Sequence, residues 1–427
     1  MAIILKNATF IHWETLEFSR LDILVEEGQG SPLKFSEKAD AFQPGPNDQV
    51  IDCTGQYVTK SFAVGHHHVY SALARGMPAP KKAPGDFREI LQYIWWTLDK
   101  ALDKDTIEAS ALATAMACAK AGATFAIDHH ASPFCIPGSL EIIAKAFEKV
   151  GVSHLLCYEV TDRNGTDHAR QGLEENARHL QENQGLIGLH ASFTVGPETM
   201  KQAAALMQET RAGVHMHLAE DLYDQEHCLE KYGMRVAQRL REYGFLESSK
   251  TILVHCLHLD EAERALLQFS KAWVAQNMES NLKNKVGYFN GHGLDQDRIM
   301  LGTDGMHSDM LQSARTAYFA GLKTDEINPA QTYRRFRNVH RYLRKARFND
   351  DGENNLVVLD YDTPTPFDKV NFLGHFLFGL RASHVKHVIS AGKLIVRDGV
   401  LRTVDEEAAL KFTREQAARL WNHMYQA

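Results

Sequence analysis

The chain of 427 residues is long enough for a large core with an appended domain, and its 44% apolar and 24% charged residues are the balance of a soluble globular protein. A net charge of -7 gives no electrostatic reason to expect nucleic acid or a membrane as partner, which leaves a small molecule as the expected substrate. Cys53, Cys118, Cys135, Cys157, Cys228 and Cys256 show no CxxC pairing and lie in apolar runs, as the reduced thiols of a cytoplasmic protein would.

Met1 to Phe10 has a short apolar run, one Lys and no small-residue cleavage site, so no signal peptide is expected. Short β-like runs, Ile3-Ile4-Leu5, Leu21 to Val25 and Val50-Ile51-Asp52, flank a polar loop from Gly28 to Asp48 and predict part of a small β domain over 1–57. From Val58 to Asp351 short apolar strands alternate with amphipathic helices, the pattern of a parallel α/β fold. The Ala-rich stretch Ala109 to Ile127, broken by Lys120 and Gly122, reads as a helix running into a strand and not as a membrane span. Candidate strands end at His68, Asp128, Tyr158, His190, His217, His255, Gln276 and Asp304. That is the number a (β/α)8 barrel of TIM type requires, with polar residues where such barrels place their chemistry. The basic run from Arg334-Arg335-Phe336-Arg337 to Arg344-Lys345 reads as a solvated helix face. The β texture returns in Asn355 to Asp360, His387 to Ser390 and Lys393 to Val396. Residues 352–404 are therefore expected to join 1–57 in one β-sandwich around a barrel over 58–351, with a C-terminal helix over 405–427.

Three of the strand ends carry metal-ligand chemistry. Residues two apart on a strand point to one side, so His66 and His68 converge while His67 turns away. His217 ends Val214-His215-Met216-His217 with Glu220 three residues on, and Asp304 follows the apolar run from Ile299. In a chain with 22 His each signal is weak alone, and their order along successive strand ends is what gives them weight. Three imidazole nitrogens and a carboxylate oxygen suit one divalent ion, Zn before Fe or Mn, with a position open for water. His215 shares the strand face of His217 and is the alternative ligand, although the spacing to Glu220 favours His217. His67 and His130 read as packed residues behind the site, and Tyr93, Trp95 and Trp96 as core or lid packing. Arg163 stands at the catalytic face, where it either orients substrate or closes a loop salt bridge. Substrate contacts are expected from the loops Met77 to Arg88, Asp162 to Thr166 and His307 to Asp309.

Several segments together resemble the amidohydrolase superfamily, and within it the metal-dependent aminohydrolases of SsnA type that deaminate heterocycles. They are His66 to Met77 (HHHVYSALARGM), Asp128 to Pro133 (DHHASP), Cys157 to Gly165 (CYEVTDRNG), Gly188 to Val195 (GLHASFTV), His215 to Glu220, Val254 to Leu259 and Leu301 to Leu311 (LGTDGMHSDML). Phe376 to Leu380 and Ala417 to Trp421 extend the likeness to nearly the whole chain. The resemblance implies that His66, His68, His217 and Asp304 hold the metal, Glu220 shuttles protons, His255 stands beside the activated water and His190 near the substrate. It implies release of ammonia from an aminated nitrogen heterocycle such as a purine or pterin, and it is compatible with a homodimer. Two departures stand out: Lys60-Ser61 replaces the usual Pro-Gly, with Val64 in place of an acidic or amide residue, and Arg334 to Asn354 compresses the segment after the last strand. Hydrolysis of an amide, amidine or halide on the same site remains an alternative, as does a homologue that binds without turnover. Glu220 favours turnover, because holding a metal requires no carboxylate outside the ligand set.

Overall fold

The computed structural model describes residues 2–38, 40–325 and 327–426, so Met1 and Ala427 at the expected domain limits lie outside them. Both chain ends build one nine-stranded sheet. The N-terminal part supplies β1 (Ala2–Ile11), β2 (Phe18–Glu26), β3 (Lys34–Ser36), β4 (Gln49–Asp52) and β5 (Tyr57–Lys60). The core strands follow as β6 (Phe62–His67), β7 (Ala123–Asp128), β8 (Ser153–Leu155), β9 (Ile187–Ala191), β10 (Val214–Leu218), β11 (Ile252–His255), β12 (Trp273–Gln276) and β13 (Ile299–Leu301). The C-terminal part adds β14 (Leu356–Leu359), β15 (Val385–Ser390), β16 (Lys393–Arg397) and β17 (Val400–Leu401), then a helix, Glu406–Gln426. β5 lies between β1 and the antiparallel β14, and this pairing joins the two chain ends in one sheet.

The core strands form two parallel sheets, β6-β7-β8 and β13-β12-β11-β10-β9. Their edges meet through isolated pairings of His67 with Asp304 on one side and Val160 with Leu189 on the other. Every residue of β6, β7, β9, β10, β11 and β12 is buried, as continuous apolar runs covered on both faces must be. β8 and β13 are shorter than expected: pairing past Leu155 continues only at Leu156, Tyr158 and Val160, and Asp304 stands beyond the end of its strand. Gly65 shows how tightly β6 and β13 approach, since a Cβ there would stand 2.6 Å from the Leu301 carbonyl oxygen. Among the described residues no helix is long and apolar enough to cross a membrane.

The basic run is not a solvated face. It lies in the helix Pro329–Ala346, where Arg334 and Arg344 are exposed but Arg335 and Arg337 are buried. Arg337 donates to the carbonyls of Lys60 (3.2 Å) and Ser61 (2.7 Å), and Arg335 to Gln276 and Gln296 and to the carboxylate of Asp325. The two family departures thus meet. Lys60 Nζ pairs with Asp351 Oδ1 at 2.9 Å, while His340 bridges Asp351 Oδ2 (2.8 Å) and the Ser61 carbonyl (3.0 Å). Lys60 and Asp351 are almost wholly buried, so removing one charge strands the other. Asp351→Asn is expected to cost about 3–5 kcal/mol in urea denaturation, and Lys60→Met with Asp351→Leu to recover most of that loss.

Candidate metal centre and active site

The ends of β6, β10 and β13 bring His66, His68, His217 and Asp304 into one buried cluster, with candidate ligand atoms all within 4.8 Å of one another. His68 Nε2 stands 3.1 Å and His66 Nε2 3.3 Å from Asp304 Oδ1, and His68 Nε2 is 3.2 Å from His217 Nε2. His68 donates Nδ1–H to the His129 carbonyl (2.7 Å) and His217 donates Nδ1–H to the His190 carbonyl (3.0 Å). In the neutral rings both Nε2 atoms are then bare lone pairs facing each other, an arrangement that calls for a cation between them. Among the described residues buried His66 Nε2 makes no hydrogen bond and has only the Asp304 carboxylate beside it, so the donor set fits a divalent ion.

The local electrostatics agree. Burial opposes ionisation of Asp304, yet His66 and His68 beside it hold its carboxyl well below the usual range. Burial likewise opposes charge on His68, but Asp304 and Glu159 lift it to about 9, so without an ion this ring itself takes up the proton, the positive charge that the facing lone pairs and Asp304 call for. Glu220 behaves oppositely: burial and the negative Asp304 push its carboxyl well above the usual range. Its Oε2 lies 3.4 Å from His255 Nε2, which is 3.9 Å from Asp304 Oδ2. Asn281 Nδ2 donates to His255 Nδ1 at 2.8 Å, which leaves the ring proton on Nε2, facing the site. Burial lowers His255 to about 4, keeping it a neutral donor. Ala219, His255 and Asp304 hold φ of 48°, 71° and 52°, a left-handed conformation that non-glycine residues adopt at a cost and that here aims side chains off the strand ends.

Above the cluster opens a cavity of about 590 Å³, counting its mouth. His190 lines it, with Nδ1 on Thr194 Oγ1 (2.6 Å) and Nε2 3.9 Å from Glu159. Arg163 does not line it. The guanidinium pairs with Asp99, which does, and stacks 4.8 Å from the centroid of Trp96. Trp95 and Trp96 form part of the wall, as a lid reading implies, whereas Tyr93 binds Lys82 and Glu89 outside it. Of the three loops expected to supply contacts, only Phe87 reaches the cavity. Tyr70 and Ser71, from the His66 to Met77 segment, also line it, and further polar lining comes from Asp99, Glu159, Ser280, Lys283 and Asn284, none of which the sequence singled out. Glu159 had a readable signal, a carboxylate inside the CYEVTDRNG segment. Burial opposes its ionisation, but His190 and His129 hold it below the carboxylate range.

His215 is not in the cluster: Nε2 sits behind His66, 2.9 Å from its Nδ1. His67 and His130 are second-layer residues as expected, bonded to the Asp304 carbonyl and Ser132 Oγ.

A parallel α/β frame that presents three histidines and an aspartate at strand ends, with a further buried carboxyl beside them, defines a metal-assisted hydrolase. The profile of the amidohydrolase family matches residues 62–395, and the chain belongs to that family. It is 25% identical over 399 residues to a 5-methylthioadenosine/S-adenosylhomocysteine deaminase of Syntrophomonas wolfei, covering 88% of this chain and 90% of that one. It is 27% identical over 380 residues to a 5'-deoxyadenosine deaminase of Methanopyrus kandleri, covering 83% and 84%. Its fold superimposes with a TM-score of 0.82 at 19% identity on a zinc-bound adenosine deaminase of Xanthomonas campestris, covering 98% of each chain.

Proposed function

We propose that this protein is a metal-dependent hydrolytic deaminase of an aminated nitrogen heterocycle. The observation that carries the reading is the placement of Glu220, a buried carboxyl 3.4 Å from His255 and outside the four-residue ligand set. His66, His68, His217 and Asp304 hold the ion, with Zn preferred and Fe or Mn compatible with the same donors. Held there, a divalent ion would supply an acidified water as nucleophile at neutral pH. Glu220 gives its proton to the ring nitrogen beside the carbon under attack, which makes that carbon electrophilic. His255 Nε2–H donates to the incoming oxygen as negative charge develops, Asp304 takes one proton of the water and passes it to the amine, and as the C–N bond breaks and ammonia leaves, the remaining hydroxyl proton returns to Glu220 and the carbonyl forms.

His190 at the cavity wall contacts the substrate, and Arg163 contributes by orienting Asp99. The adenosine-directed relatives favour a purine bearing a substituent over a pterin. The two parallel sheets, joined edge to edge at His67–Asp304 and Val160–Leu189, are read as one (β/α)8 barrel over 58–351. The nine-stranded sheet is read as a sandwich of 1–57 with 352–404, supported by the shared core of Ile3, Leu5, Ile23, Val58, Val358 and Ile389. Unpaired cysteines support a cytoplasmic setting, and a homodimer is compatible with the family.

The test is ammonia release by zinc-loaded protein from aminated purines, 5'-substituted adenosines and pterins. Amide and chloro-heterocycle substrates run alongside. Ammonia from at least one aminated ring is expected. Chloride or amide-derived acid without ammonia from any ring would replace the deaminase reading with the alternative hydrolase.

A further inference from the structure

His66 differs from the other two imidazoles of the cluster in what stands behind it. His68 and His217 turn Nδ1 to backbone carbonyls, which only accept, so their ring protons have one place to be. His66 Nδ1 instead meets His215 Nε2 at 2.9 Å, and an imidazole nitrogen can donate or accept. His215 Nδ1 lies 3.6 Å from Cys157 Sγ, and that thiol also reaches the Asp128 carbonyl oxygen at 3.4 Å. All three side chains are buried, so neighbouring protein groups decide the direction of each bond.

We infer that Cys157 and His215 are positioning residues that decide which nitrogen of His66 is free for a metal. The inference rests on the reading of His66 as a ligand. The row His66–His215–Cys157 has two self-consistent arrangements, each with one proton per imidazole and one on sulfur. In the first, His66 Nδ1–H donates to His215 Nε2, His215 Nδ1–H donates to Cys157 Sγ, and the thiol donates to the Asp128 carbonyl. His66 Nε2 is then a bare lone pair turned toward the cluster. In the second, the thiol donates to His215 Nδ1, His215 Nε2–H donates to His66 Nδ1, and His66 Nε2–H faces Asp304 Oδ1 at 3.3 Å. That arrangement puts a proton where the ion would bind. An ion selects the first arrangement, and any group that favours the first arrangement tightens the ion.

The test uses the full chain with 15N-labelled histidine. In the zinc-loaded wild type, nitrogen NMR is expected to show a metal-shifted Nε2 on His66 and the proton of His215 on Nδ1. After chelation the His215 proton is expected on Nε2. Zinc affinity by competition with a chromophoric chelator gives the second readout. Cys157→Ala strands a buried His215 Nδ1–H donor in the first arrangement but only a ring lone pair in the second, the smaller loss, and is expected to weaken zinc about tenfold, while Cys157→Ser, which accepts a hydrogen bond, restores it to within about threefold. A His215 proton on Nε2 in zinc-loaded protein overturns the inference, as does undiminished zinc affinity in Cys157→Ala. Absence of metal-induced shifts at His66, His68 and His217 alike overturns the ligand reading as well.

Discussion

Glu220→Gln is expected to keep its metal and lose about two to four orders of magnitude in turnover, the scale of a positioned acid or base. Gln preserves the size and most of the contacts of a carboxyl that stands beside His255 and outside the ligand set, but it has no proton to give. KM should move little, because the contact at issue strengthens only as the ring nitrogen takes up the proton. Metal content by mass spectrometry and ammonia release by a coupled assay separate the two effects. An unchanged rate in Glu220→Gln would assign proton delivery to another group.

Asp304→Asn is expected to abolish turnover for a different reason, loss of the ion itself. The Asp304 carboxylate lies against His66 and His68 and is the only negative charge in the four-residue set. An amide removes that charge, and metal affinity should fall by at least about tenfold. The substitution leaves the backbone comfortable, since Asn tolerates the left-handed φ of 52° at this position as well as Asp does. Unchanged thermal unfolding of the metal-free variant beside a metal-free wild type checks that the defect is chemical. Full metal content in Asp304→Asn would remove this residue from the ligand set.

These residues were legible in the sequence because strand periodicity is strict. His66 and His68 had to share a side, and apolar runs before His217 and Asp304 marked them as strand-end residues. The choice between His215 and His217 was harder, since both sit on β10 two residues apart. Two residues apart on one strand face, they are set apart along the strand by about 6.7 Å, which leaves His215 behind His66 and His217 beside His68. The cavity wall was mostly illegible: Asp99, Lys283 and Asn284 come from helices whose position over the strand ends no local pattern encodes. Arg335 and Arg337 misled in the same way. In sequence they are charges on a polar helix, and only the carbonyls and carboxylates folded against them make burial tolerable.

The pairing of β5 with β14 also has a consequence for synthesis of the chain. β5 runs almost directly into β6, which carries His66, yet its partner on one side is made only after the whole parallel core has left the ribosome. Until then the strand is a sheet edge with unpaired backbone groups, and Val58 lacks the neighbours that bury it. A nascent or truncated chain ending before Leu356 carries every proposed metal ligand and still presents this open edge. Its failure would take the form of aggregation during translation, before any question of catalysis arises.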